Sequence, residues 1–231
     1  MSDIIYLSNA RLSFPHLAEP QRTVSEQTGK ERVSYNCEFI LEPNNQCYLQ
    51  FMQRYSTLAM AAWKEHANNV MAMIQQDRKK RCYGKGEDKV NQKTFQPHDG
   101  YPGMVFITAG RDQPPQMIQA DGIPIDPSNQ LAYQQLARKM YGGCRVNAAV
   151  KPWLQDNNYG KAIRCDLIAI QFAGDDVPFG EGLKDASGLF GAVNAALTNS
   201  VGAAPPFAMP PAPFAQPSSG NPGIPAFLMG Q

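Results

Sequence analysis

Between Ile4 and Phe14 the chain sets Ile4, Tyr6, Ala10, Leu12 and Phe14 against Leu7, Asn9, Arg11 and Ser13. This near-twofold alternation predicts a strand with Arg11 on its wetter face. "SYNCEFILEP" predicts a second strand that places Tyr35, Cys37, Phe39 and Leu41 together and stops at Pro43. The intervening "EPQRTVSEQTGKER" is polar, with a turn at Gly29. From Asn45 to about Asp77 the period changes: Leu49, Met52, Ala59, Trp63, Val70 and Ile74 recur at mostly helical intervals, and the stretch lacks Gly and Pro. One long helix is expected, weakest at Asn68 and Asn69.

Beyond it lies a Gly-containing basic loop, then a strand in "GYPGMVFITAGR" and another in "QMIQADGIPI". "SNQLAYQQLARKMYGG" reads as a short helix with Ser128 as N-cap and Gly142 as its stop. A hairpin follows from Tyr141 to Phe172. Cys144, Val146, Ala148 and Val150 alternate with Arg145, Asn147, Ala149 and Lys151, and Trp153 continues the second set. Its turn falls on Gln155, Asp156, Asn157 and Asn158.

A chain of 231 residues holds one ordinary domain with a complete core and some tail. Composition shifts after Gly180 to a run dense in Pro, Ala and Gly with isolated aromatics. Such a segment buries too little surface to offset its ordering entropy, so a domain over 1–180 and a disordered tail over 181–231 are expected. Asp185 to Val201 is the one stretch there with frayed-helix character. Strands around helices, closed by a hairpin, suit a mainly β, α+β chain. A small Greek-key barrel such as the OB-fold fits, and so do other α+β sheets.

The formal net charge is +1, so no global basic field is present, but the charges are segregated. Arg78, Lys79, Lys80, Arg81, Lys85, Lys89 and Lys93 face only Glu87 and Asp88, whereas Asp175, Asp176, Glu181 and Asp185 face only Lys184. Five cysteines without CxxC spacing and three histidines argue against a zinc site or a disulfide framework. No signal peptide or long apolar run is seen, so a soluble cytoplasmic protein is expected.

"CYGKGEDK" lacks the spacing of a phosphate loop, and Ser, His and Asp are too scattered for a triad. Asp77 with Glu87 and Lys89 would serve a nuclease only if paired strands held them in register, and they fall in a helix end and a loop. What remains is cations interleaved with aromatics: Tyr83 inside the basic run, Phe95 and Tyr101 after it, and Trp153 beside Lys151. Single-stranded nucleic acid needs that mixture, because cations track phosphates and flat rings stack on any base. The competing readings are that Phe95 and Tyr101 pack over the barrel mouth, that the basic loop is a solvated face, and that Trp153 plugs the rim.

"NARLSFPHLAEP", "SYNCEFILEP", "GYPGMVFITAGR", "YGGCRVNAAVKPW" and "GKAIRCDLIAIQF" resemble, in order, blocks of the bacteriophage single-stranded-DNA-binding proteins, long known as a domain of unknown function. The resemblance spans most of Ile4 to Phe179. It implies an OB-fold with a long inserted helix, no catalytic activity and no cofactor or metal. It also implies coating of single strands in phage replication, recombination and repair, in the cytoplasm of an infected bacterial host. Implied partners are single-stranded DNA, more weakly duplex DNA or RNA, and phage or host replication and recombination proteins through the C-terminal tail. The tail departs from the usual acidic tip: "GIPAFLMGQ" carries no acid.

Face and charge nominate the DNA-binding residues: Arg11, Lys79, Lys80, Arg81, Tyr83, Lys85, Lys89, Lys93, Phe95, Tyr101, Arg111, Arg145, Lys151, Trp153, Lys161 and Arg164. The alternatives are a metal-dependent nuclease or recombinase subunit using the carboxylates near Asp77 and Glu87, and an interaction scaffold with a partner-recruiting tail.

Overall fold

The computed structural model describes residues 3–24, 29, 31–126 and 128–180; the tail, including the expected frayed helix, lies outside the described residues. Seven strands form one sheet: β1 (Ile5–Val24), β2 (Glu31–Leu41), β3 (Tyr83–Lys85), β4 (Val105–Arg111), β5 (Gln116–Ile118), β6 (Arg145–Asn157) and β7 (Gly160–Gly174). Their spatial order is β3-β4-β2-β1-β6-β7-β5. Every ladder is antiparallel except β5 with β7. The sheet curls until β4 lies against β7, enclosing Leu7, Leu12, Phe39, Ile107, Val146 and Leu167. This is the barrel that the strand pattern anticipated.

β1 departs from simple alternation. Ile5 and Leu7 point inward and so do Ala10 and Leu12, because the β1–β6 register shifts between Leu7 and Ala10, where Asn9 takes φ 53°. That bulge inserts one residue and swaps the faces, so Tyr6, grouped in sequence with Ala10, is exposed instead. The β1–β6 ladder ends at Arg11, and beyond His16 the chain continues with β2 as a ribbon, pairing Gln21 with Ser34 and Thr23 with Arg32. The polar stretch read as a connection is therefore mostly strand. It lacks alternation because both of its faces are wet.

The long helix is two. α1 (Gln46–Trp63) buries Phe51, Tyr55, Ala59 and Trp63, a fourfold spacing that keeps one face on the barrel. It ends where Lys64 adopts φ 48°, before a short 3-10 turn and α2 (Ala67–Gln76). The break thus falls at Lys64, not at Asn68 and Asn69. α3 (Gln130–Lys139) is capped by Asn129, whose side chain accepts from the Ala132 N–H at 3.0 Å. Ser128, the expected cap, donates its hydroxyl to Asp126 instead.

The basic loop is also more ordered than its composition suggests. Asp77 caps a 3-10 turn at Arg78–Lys80 by accepting from the Lys79 N–H; β3 then pairs with β4, and a second 3-10 turn covers Gly86–Asp88. A Cβ on Gly86 would fall 1.7 Å from the Tyr101 carbonyl oxygen, so the close approach of these segments requires glycine. On the final hairpin Cys144, Val146, Ala148 and Val150 face inward as expected. The strands run further than expected, to an Asn157–Gly160 closure in which Gly160 has φ 97°. Among the described residues no helix is long and apolar enough to cross a membrane.

Candidate nucleic-acid interface

Where the β1–β2 ribbon, β4 and the end of the β6–β7 hairpin meet, they line a cleft of about 760 Å³. β2 supplies Arg32, Ser34, Asn36 and Glu38, the set opposite to its core residues Cys37, Phe39 and Leu41. β4 and its end add Thr108, Gly110, Arg111 and Asp112; the hairpin adds Trp153, Gln155, Arg164 and Asp166. The cleft is thus walled by three guanidinium groups and three carboxylates among amides and hydroxyls, with one aromatic ring.

That ring is held at its edge. Trp153 is 38% exposed, and its indole N–H donates to Asp166 Oδ1 at 2.7 Å. Arg164, the ladder partner of Trp153, donates to Gln155 Oε1 at 3.2 Å and to the Lys79 carbonyl at 2.9 Å. The second bond docks the turn at Arg78–Lys80 beside the hairpin, bringing exposed Lys79 to the cleft. Lys151, exposed, is the ladder partner of Asp166. The far end of the hairpin is tied to α1: the Trp63 indole N–H donates to Asp156 Oδ2 at 2.8 Å, and Lys161 pairs with the same carboxylate. Those two partners, Lys161 first, hold the Asp156 carboxyl below its usual range.

The nominated residues therefore divide. Arg111, Trp153 and Arg164 line the cleft, and Lys79 and Lys151 adjoin it. None of the cations in this group has an ion-pair partner among the described residues. Lys80 stands 3.8 Å from Asp77. Lys85 is exposed on β3; Lys93 and Phe95 (79% exposed) stand on the loop bridged by Val90 and Pro97, away from the cleft.

Other nominees are committed elsewhere. Arg81 pairs with Asp88 at 3.1 Å with its side chain nearly covered. Arg11 and Arg145 face one another across β1 and β6 and share Asp176, at 3.6 and 2.6 Å. The Val177 N–H and then Arg145 hold the Asp176 carboxyl below its ordinary value. Arg11 also lies 4.2 Å from the Phe179 ring centroid. Lys89 is the counter-ion of buried Glu38.

Two stacking nominations need correction. Tyr83 is a core residue between Phe51 and Tyr55, with its hydroxyl on Gln75 Oε1 at 2.9 Å. Tyr101 is fully buried and donates to Glu38 Oε2 at 2.6 Å. Burial pushes both phenols up. Neither ring has a face open to a base. Arg32, Asn36, Gln155 and Asp166 line the cleft without having been nominated by sequence. On β2, the strand alternation carries a usable signal: the positions opposite Cys37 and Phe39 are those that line the cleft.

A model of the family described as "Enterobacter phage Enc34, ssDNA-binding protein" matches residues 3–198. The chain belongs to this family. The single-stranded-DNA-binding protein of bacteriophage Enc34, solved in complex with ssDNA, is similar at 23% identity and TM-score 0.59 over 77% of this chain and 90% of that one. The same Enc34 protein in another structure gives 24% identity and TM-score 0.55 over 81% and 89%. Protein p50 of Acyrthosiphon pisum secondary endosymbiont phage 1 is 24% identical over 177 residues, 76% of this chain and 85% of p50.

Family membership bears out the phage-protein resemblance and makes the chain a single-stranded-DNA-binding protein, not an enzyme. The nuclease reading falls with it. Asp77 caps a turn, and Glu87 accepts from the Gly103 N–H at 2.8 Å. Among the described residues no group of His, Cys, Asp and Glu has the geometry to hold a metal.

Proposed function

We propose that the cleft between the β1–β2 ribbon and the β6–β7 hairpin is where this family member holds its strand. The observation that carries the reading is the placement of the half-open Trp153 ring among cations with no ion-pair partner among the described residues: Arg111, Arg164, Lys79 and Lys151. The cations meet phosphates, and the ring takes a base of any sequence. With duplex DNA the paired bases are not free to reach that ring, so duplex binds more weakly. Coating single strands in phage replication, recombination and repair follows from such sequence-tolerant binding. Phage or host partner proteins meet the chain through the segment after residue 180, whose prolines and widely spaced Phe207, Phe214 and Phe227 suit docking better than core formation.

The test is a titration of labelled single strand and duplex at several salt concentrations, with Lys79→Ala/Lys151→Ala beside the parent chain. For every phosphate that the variant no longer neutralises, the slope of log affinity against log salt should fall by about 0.7 in magnitude. An unchanged slope and affinity would place the strand elsewhere.

A further inference from the structure

We propose that Asp166 is the positioning residue of this interface, fixing the Trp153 indole by its N–H so that a ring face is presented to the strand. The inference rests on the proposed placement of DNA in the cleft. Three carboxylates, Glu38, Asp112 and Asp166, line a cleft that must attract a polyanion, and Asp166 is the one that bonds the ring, beside Arg111 and Arg164. Its Oδ1 is 2.7 Å from the Trp153 Nε1. An indole has one donor, on its edge, so this bond leaves both faces free while selecting one ring orientation. The ladder makes the geometry repeatable: Lys151 is opposite Asp166 and Trp153 opposite Arg164, so the carboxylate and the indole sit diagonally across two paired strands. The molecule's other tryptophan provides a contrast. Trp63 is also held by a carboxylate, Asp156, at 2.8 Å, but it is buried and offers no face.

The proposal predicts an effect opposite in sign to simple electrostatics. If Asp166 were only a surface charge, removing it would tighten DNA binding. If it positions Trp153, Asp166→Ala weakens binding about three- to tenfold, the size of one hydrogen bond's net contribution. Asp166→Asn keeps an acceptor and loses the charge, so it binds at least as tightly as the parent chain. In a Trp153→Phe background, which has no N–H to hold, Asp166→Ala brings no loss.

The experiment titrates labelled oligodeoxynucleotide with full-length protein and these variants, reads affinity from the anisotropy of the label, follows tryptophan quenching where Trp153 is present, and records the melting temperature of each. Equal or tighter binding by Asp166→Ala, while Trp153→Ala weakens it, overturns the positioning role alone. Unchanged affinity of Trp153→Ala overturns the placement of DNA on this ring, and the role of Asp166 with it. Hydrogen exchange of the Trp153 indole N–H in the unaltered chain, assigned by its absence in Trp153→Phe, tests the bond without an Asp166 variant. Slow exchange is expected, and exchange at the rate of a free indole overturns the proposal.

Discussion

Glu38 projects from β2 under the segment that joins β3 to β4, and three side chains converge on it. Lys89 pairs with Oε1, the Tyr101 hydroxyl donates to Oε2 at 2.6 Å, and the Thr108 hydroxyl stands 3.3 Å from Oε1. Composition made Lys89 a DNA ligand; the structure makes it the counter-ion of a carboxylate whose side chain is 9% exposed. Lys89→Ala is the perturbation that separates the two roles. Removing one partner of a buried pair costs about 3–5 kcal/mol, because a charge is left without compensation. Here the cost is smaller. The Lys89 side chain is 31% exposed, so water already screens part of the attraction, and Tyr101 and Thr108 continue to serve the carboxylate. The ammonium also lies 4.6 Å from the Phe106 ring centroid, an interaction worth about 0.5–1 kcal/mol. A net loss of about 2–3 kcal/mol follows, equivalent to about 4–12 °C in melting temperature for a domain of this size. Urea denaturation and thermal melting read the loss, and titration with labelled single strand at several salt concentrations reads the affinity. An unchanged melting temperature with a salt slope about 0.7 smaller would refute the structural role and restore Lys89 to the DNA ligands.

Two further outcomes follow from the other end of the domain. Asp176 has a depressed folded-state pKa, caused by the Val177 N–H and then by Arg145. Its contribution is therefore complete above the ordinary carboxylate value of 3.8 and is lost as pH falls through the lower folded value. The stability difference between the parent chain and Asp176→Asn, measured by denaturation from neutral to acid pH, should shrink below about pH 4; a constant difference would show that the charge contributes nothing. Truncation after Gly202 should leave melting temperature and single-strand affinity nearly intact, because the cleft and core of the described residues are complete without that segment. Loss of binding on that cut would assign the tail to the DNA site.

The sequence made legible what a local period can encode. The inward row Cys144, Val146, Ala148 and Val150 and the outward Trp153 were readable because one face of β6 is dry and the other wet. The Leu7 to Ala10 shift was not, since a bulge preserves composition while reversing faces. Nor was the ribbon, where two wet faces erase the alternation. Lys64 ends α1 with a positive φ and no glycine or proline to announce it. For the site, the hidden information was pairing. Lys89 finds Glu38 and Arg145 finds Asp176 across long stretches of chain, and the Tyr101 hydroxyl bonds the same remote carboxylate that holds Lys89. Charge counts registered these cations as available; only tertiary structure shows which ones are spent.

The β6–β7 hairpin is restrained both level with the Trp153 ring and beyond it. Trp63 and Asp156 secure its outer end to α1, and Arg164 secures its flank to the turn that carries Lys79. Mechanically it is a propped beam and not a cantilever, with Trp153 between the barrel wall and the outer prop. A free-standing hairpin would surrender its swinging motion each time a strand arrived, and affinity would be diminished by that entropy. In the propped arrangement the motion is already given up on folding, so a strand seated in the proposed cleft meets a stiff platform and leaves without the platform having to reorder for the next one.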